Sequence, residues 1–216
     1  MSLILPHSAL RLRRSAVSND VRDRLVRAIA LGSEPSSDFD LNPGTFPAQM
    51  KARAASVLIV CTPSETGIDV FLTKRSSALK HHPGQIAFPG GKLDAGDATV
   101  VDAALREAHE EIGLSPDAVD VLGTLSSHRT VTGFDVTPVL AWLPRSFSPV
   151  PEPNEVDEVF VVPLDHVTDQ PRFTVQSRRW RGSRRAFFTV PYGPYYIWGA
   201  TARILRGLAD RYARCG

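Results

Sequence analysis

Between residues 84 and 97 the chain reads GQIAFPGGKLDAGD, and a few residues later it enters the acidic run REAHEEIGL. Four glycines and a proline in that first stretch favour neither a long strand nor a helix, so the backbone has to turn here. The turn must also deliver the chain into a helix, because the next segment has a clear helical period. Starting near Ala98, the residues Val101, Leu105, Ala108 and Ile112 fall at steps of four, three and four and form a narrow apolar stripe. Gly113 followed by Leu114 ends it, as expected where glycine takes the left-handed position after a helix. On the opposite side stand Glu107, Glu110 and Glu111, within an arc of about 100°. Ala103 and Ala104, one turn earlier on that side, are small and leave space above the carboxylates.

Three carboxylates in one turn repel one another and sit near the negative end of the helix dipole, at a cost of a few tenths to about 1 kcal/mol per interaction. A merely solvated helix end would rather carry lysine or arginine. The cluster therefore asks for a counter-charge, and Mg²⁺ or Mn²⁺ suits an all-oxygen site. Gly90 and Gly91 add backbone without side chains, able to approach a metal or a phosphate closely. Nine residues of straight helix span about 13.5 Å, so Asp97 does not meet Arg106 along a helical path. The glycine loop is expected to fold back over the helix instead.

The rest of the chain sets the frame. Its 216 residues suffice for one domain with a sizeable core. A formal net charge of +2 is too small to point to nucleic acid. Two cysteines, Cys61 and Cys215, support neither a disulfide framework nor a cysteine metal site, and fit a reducing cytoplasm. No window of eighteen apolar residues suggests a membrane span. The first nineteen residues lack acids and contain arginines, which leaves a mitochondrial-type presequence as the lesser alternative.

Residues 18–31 read as an amphipathic helix with Val21, Leu25, Ala28 and Ile29 on one face and Ser18 or Asn19 as cap. A proline- and glycine-containing linker follows, so that residues 1–50 divide off as an extension from a domain at 51–216. Strands are expected at ASVLIVC and IDVFLTK, joined by a hairpin at TPSETG, and at 119–125, 135–142, 156–162 and 186–190. A last helix over 199–212 shows Ala202, Leu205, Leu208 and Ala209 at helical spacing. Strands before and after a central helix, with hairpin-length connections, argue for a mixed α+β fold rather than a doubly wound sheet.

These residues carry a resemblance. GGKLDAGDATVVDAALREAHEEIGL resembles the Nudix box, G-x5-E-x7-R-E-U-x-E-E-x-G-U, with U bulky and aliphatic. Gly91 matches its first glycine, and Arg106, Glu107, Glu110, Glu111, Gly113 and Leu114 match its second half. Three departures stand out: Asp97 replaces the Glu, eight residues rather than seven separate it from Arg106, and Ala108 occupies an aliphatic position. Upstream, FLTKRSSALKHHPGQIAFPGG resembles the signature of the coenzyme A pyrophosphatase branch, L-L-T-x-R-S-x3-R-x3-G-x3-F-P-G-G. Leu72, Thr73, Arg75, Ser76, Gly84, Phe88, Pro89, Gly90 and Gly91 agree in register, while Phe71 and Lys80 replace the first Leu and the second Arg.

The resemblance implies an α/β/α sandwich around a mixed sheet, and hydrolysis of coenzyme A or its derivatives with Mg²⁺ or Mn²⁺ as cofactor. It implies Glu107, Glu110 and Glu111 as metal ligands, with Glu110, Glu111 and Arg106 as the catalytic set. Glu110 is ligand or base, and Arg106 orients the carboxylates. Arg75, Ser76, Lys80, Gly84, Gly90 and Gly91 are the implied substrate-binding residues. The expected partner is a small nucleotide pyrophosphate, with no membrane and no nucleic acid, and with a homodimer left open. ADP-ribose, a dinucleotide or a nucleoside triphosphate is the competing substrate, and a non-catalytic nucleotide sensor the competing class.

Other features weigh less. Glu155 and Glu158 are candidates for a further base or ligand, against ordinary surface acids. His81 and His82 are adjacent and would point apart in a strand, which favours loop or substrate contacts over a metal pair. SRRWRGSRR reads as a solvated hairpin with one packed aromatic before it reads as a phosphate patch with Trp180 as a stacking platform. YYIWGATARIL reads as helix-start packing, and Cys61 as buried and inert.

Overall fold

The computed structural model describes residues 7–44, 51–180 and 182–216. The first six of the nineteen residues for which a presequence is the alternative, and 45–50 at the end of the linker, lie outside them, as does the side chain of Trp180. Helix α1 (His7–Ala30) precedes the short β1 (Ser36–Ser37), the long β2 (Arg53–Pro63) and β3 (Ile68–Arg75). The short β4 (Ile86–Ala87) and β5 (Gly90–Lys92) lead into α2 (Val100–Ile112). Then come β6 (Asp120–Thr124), β7 (His128–Arg129), β8 (Phe134–Trp142), β9 (Val156–Pro163) and α3 (Leu164–Thr168). A hairpin of β10 (Thr174–Trp180) and β11 (Ser183–Thr189) precedes α4 (Gly199–Ala213).

Among the described residues nine strands form one mixed sheet with the path β1-β7-β8-β2-β3-β4, with β5 paired to β2, β6 to β8 and β9 to β3. Strand β2 lies parallel to β8 and antiparallel to β3 and β5. Its apolar run is buried on both faces, as a strand covered by helices on either side requires. Leu58 and Val60 point toward α2 and pack with Ala104, Ala108, Ile112, Val139 and Leu143. Ile59 and Cys61 point the other way, into a core shared with Leu25 of α1 and with Leu205, Leu208 and Ala209 of α4. The result is the expected sandwich of helices about a mixed sheet. The Cys61 thiol is fully buried, and that burial pushes its pKa up to about 12, which makes it inert.

Helix boundaries differ from expectation at two places. Helix α1 begins well before Ser18, so Ser18 and Asn19 are interior residues rather than caps. Nothing between Pro6 and Gly32 breaks a helix, and the apolar face simply ends before the helix does. Helix α2 begins at Val100 rather than near Ala98: Thr99 is its N-cap, and the Asp102 amide donates to Thr99 Oγ1 at 3.2 Å. Its end is as expected, with Gly113 at φ 73°. Ala104 belongs to the core cluster, and Ala103 is fully buried as well, rather than leaving space above the carboxylates. Leu25, from the segment divided off at residue 50, is fully buried in the main core, and Val21 and Ile29 pack against it. No described helix is long and apolar enough to cross a membrane.

Candidate active site

The site is assembled where β5 crosses the exposed flank of α2. Ala55, Ser56 and Val57 of β2 pair with Lys92, Gly91 and Gly90, which presses the two glycines between the sheet and the helix. A Cβ on Gly90 would lie 2.4 Å from the Ser56 carbonyl oxygen, against backbone that cannot move aside. A Cβ on Gly91 would lie 2.3 Å from Glu107 Oε1, inside the carboxylate itself. Both positions therefore demand glycine, and the reason at Gly91 is the site. With the side chain absent, the Gly90 N–H reaches Glu111 Oε2 at 3.1 Å.

Glu107 and Glu111 lie one turn apart on α2, and Glu111 is only 3% exposed. Burial foremost, with Glu107 and Glu155 adding, raises its pKa to about 8 against the Gly90 N–H and Arg75, whose Nη1 stands 3.9 Å from Glu111 Oε1. Burial also raises the pKa of Glu107, with Arg106 opposing. The third acid is Glu155: ligand atoms of Glu107, Glu111 and Glu155 all lie within 4.8 Å of one another. Its placement follows from helix capping. The amides of Val150 and Glu152 donate to the terminal α2 carbonyls of Ile112 and Glu111, both at 2.9 Å. The Ser76 amide then holds the Glu155 carbonyl at 2.8 Å.

Arg106 is the hub of the outer side. Its Nε and Nη2 form a fork on Asp97 at 3.0 and 2.9 Å, and its Nη1 reaches Glu107 at 3.2 Å and Glu110 at 2.9 Å. Asp97 does meet Arg106, through the loop and not along the helix. The loop closes on itself through the Asp97 amide to the Asp94 carbonyl at 3.0 Å, which turns the carboxylate back over α2. This absorbs the extra residue between Asp97 and Arg106, and the Arg106 hydrogen bonds hold the Asp97 pKa below its ordinary value. Glu110 lies outside the three-acid cluster, more than half exposed and paired with Arg106.

The other expected site residues fall beside this cluster in distinct ways. Ser76 is buried, and its Oγ donates to the Pro153 carbonyl at 3.4 Å. Gly84 donates its N–H to the Arg75 carbonyl at 3.0 Å and so closes the loop that carries Lys80, which is exposed. His81 and His82 sit in that same loop. Burial first, then Arg75, lower the His82 pKa; Arg178 of β10 contributes in the same direction. Arg178 lies over the Trp198 ring at 4.2 Å, so Trp198 receives a cation as well as helix-start packing. Glu158 is engaged elsewhere, accepting from the Tyr195 hydroxyl at 2.5 Å.

Comparison with known proteins fits this geometry. A family described as the NUDIX domain matches residues 50–182, which take in strands β2 to β10, α2 and the carboxylate cluster. The chain belongs to the Nudix family. It is 40% identical over 160 residues to the Nudix hydrolase NudL of Enterobacter sp. (strain 638), covering 74% of this chain and 83% of that one. NudL of Cronobacter sakazakii (strain ATCC BAA-894) is 40% identical over 170 residues, covering 78% and 88%. Among solved structures, the MutT protein from Methanosarcina mazei Go1 aligns with a TM-score of 0.50 at 16% identity, covering 78% of this chain and 97% of that one, a likeness of fold alone. The Nudix domain is thus a hydrolase domain of α+β architecture. Three carboxylates converging beside bare backbone form a donor set of hard oxygens that fits a divalent cation.

Proposed function

We propose that this Nudix hydrolase is a Mg²⁺- or Mn²⁺-dependent pyrophosphatase of coenzyme A or its derivatives. Its products would be 4'-phosphopantetheine, free or acylated, and adenosine 3',5'-bisphosphate. The observation that carries this reading is how residues 71–91, which bear the coenzyme A-type signature, wrap the carboxylate cluster. Arg75 faces Glu111, Ser76 ties down the loop bearing Glu155, and Gly90 and Gly91 meet Glu111 and Glu107. A signature serving only the fold would have no reason to end on all three acids.

In this reading Glu107, Glu111 and Glu155 hold the cation. When bound, the cation supplies positive charge to the diphosphate oxygens and acidifies water. Arg106 acts by position, fixing Glu107 and Glu110 through its fork on Asp97. Glu110, exposed and outside the cluster, is free to accept the proton of the attacking water once Arg106 releases it, or to serve as a further ligand. Arg75 and Lys80 supply cations for substrate phosphates, with the backbone of Gly84, Gly90 and Gly91 and the buried Ser76 shaping the loop around them. Two unpaired thiols accord with a cytoplasmic setting.

The test is a panel of coenzyme A, acetyl-coenzyme A, ADP-ribose, a diadenosine polyphosphate and a nucleoside triphosphate, each incubated with the enzyme and Mg²⁺, with products identified by mass. Coenzyme A and its thioester should give the highest kcat/KM. Faster turnover of any other member would transfer the assignment to that substrate, and no metal-dependent turnover of any would leave a sensor.

A further inference from the structure

On the α4 side of the sheet, across β2 from the carboxylate cluster, a cavity of about 280 Å³ lies between α4 and the segment that follows α1. Arg211 of α4 lines it and is only 6% exposed. The other arginines along this helix have acidic partners: Arg203 pairs with Asp40 and Arg206 with Asp210, both at 2.9 Å. Arg211 has none among the described residues. Its Nη2 donates to the hydroxyls of Ser33 and Ser126, and its Nε has no partner. It does not cap α4 either, since the Tyr212 carbonyl accepts from Arg24 at 2.9 and 3.1 Å.

A buried guanidinium stays charged at neutral pH, and an ion left without a counter-charge in the interior is strongly unfavourable. Burial disfavours the charge on Arg211, and Arg214 and Arg203 add to this, with Asp210 opposing. Asp210 is itself held by Arg206 and Gln170. Glu34 is the remaining carboxylate of the lining and is exposed. The hydroxyl protons are committed, Ser126 Oγ to the Ser33 carbonyl and Ser33 Oγ to the Glu34 carbonyl or to Ser126 Oγ, so the cavity offers a guanidinium without a carboxylate partner and a local excess of positive charge, at a place remote from the carboxylate chemistry. That combination recognises a tetrahedral oxyanion through charge-assisted hydrogen bonding.

We propose that this cavity binds a phosphoryl group, with Arg211 as its anchor and with Ser33 and Ser126 holding the guanidinium in place. Binding ties the segment after α1 and the β6–β7 loop to α4. The site does not depend on which pyrophosphate the enzyme hydrolyses.

The experiment uses the full chain with chelator present, so that the carboxylate cluster carries no cation to attract anions. Inorganic phosphate, and in a separate arm adenosine 5'-monophosphate, are titrated against chloride at equal ionic strength. Melting temperature and the Arg211 Nε–H resonance are followed, the resonance being assigned by its loss in Arg211→Met. Phosphate should raise the melting temperature by about 5–10 °C at a hundredfold excess over its dissociation constant and shift that resonance saturably. Arg211→Met should abolish both effects. Ser126→Ala should weaken phosphate by about tenfold, and Glu34→Gln should tighten it roughly two- to fivefold. These two milder variants keep the test decisive if Arg211→Met does not fold. Response to the monophosphate alone would assign the site to phosphomonoesters. No saturable response to either anion, or one indifferent to Ser126→Ala and Glu34→Gln, would overturn the proposal.

Discussion

Glu111 bears opposite demands with and without a cation. In the metal-free protein its pKa of about 8 lies above the ordinary 4.5, so the folded state binds its proton more tightly than the unfolded state does. The associated stability is fully present below about pH 4.5, and it declines as pH rises and is lost through pH 8. With chelator, the melting temperature should therefore fall between pH 5 and 8, and Glu111→Gln should flatten that slope. Added Mn²⁺ should reverse the slope for the native sequence, because the cation needs the ionised carboxylate. A chelated protein whose melting temperature rises over this range would contradict the buried, proton-binding Glu111. The same substitution should cut kcat by on the order of 10³ through loss of cation-assisted catalysis. Near-normal turnover of folded Glu111→Gln at saturating Mg²⁺ would remove Glu111 from the site.

At the scale of elements, the site is a meeting of one helix, one short strand and two loops, and these differ in how legible they were. The α2 stripe and the acids opposite it follow from helical period, which the sequence displays directly. The need for bare backbone at Gly90 and Gly91 was equally plain, because glycine has few other uses beside carboxylates. Glu155 was one acid among several in its loop. What brings it to the cluster is capping of the α2 carbonyls by the amides of Val150 and Glu152, a tertiary contact without period or motif. Asp97 was obscured for a related reason, since its approach to Arg106 depends on a turn and a helix start two residues later than expected. The loop between β3 and β4 carries the prediction of this scale. Lys80 is exposed there, so Lys80→Ala should lower kcat/KM for coenzyme A with little change in melting temperature, while Lys80→Arg keeps activity. If alanine instead lowers only the melting temperature, the side chain packs across the loop and does not touch substrate.

Taken whole, the molecule is a sandwich whose two faces have separate work. One face holds α2 and the carboxylates; the other holds α4, α3 and α1 around the larger core. Helix α1 is joined to that core by fully buried Leu25, with Val21 and Ile29 beside it, and by Arg24, whose guanidinium lies 3.8 Å from the centre of the Tyr212 ring. Leu25→Ala should destabilise the protein by about 2–5 kcal/mol, measured by denaturant unfolding. A loss well under 1 kcal/mol would mean that α1 is an appendage and that the domain begins near residue 50. The central proposal concerns the first face: that Glu107, Glu111 and Glu155 form a cation site at which a coenzyme A diphosphate is hydrolysed. The most direct measurement is the steady-state rate with coenzyme A as Mg²⁺ is titrated into chelator-treated enzyme, with Glu155→Gln alongside. The rate should rise from near zero and saturate, and Glu155→Gln should need a higher Mg²⁺ concentration to reach half its maximum. A rate indifferent to chelation, or identical Mg²⁺ dependence in the two proteins, would contradict the claim.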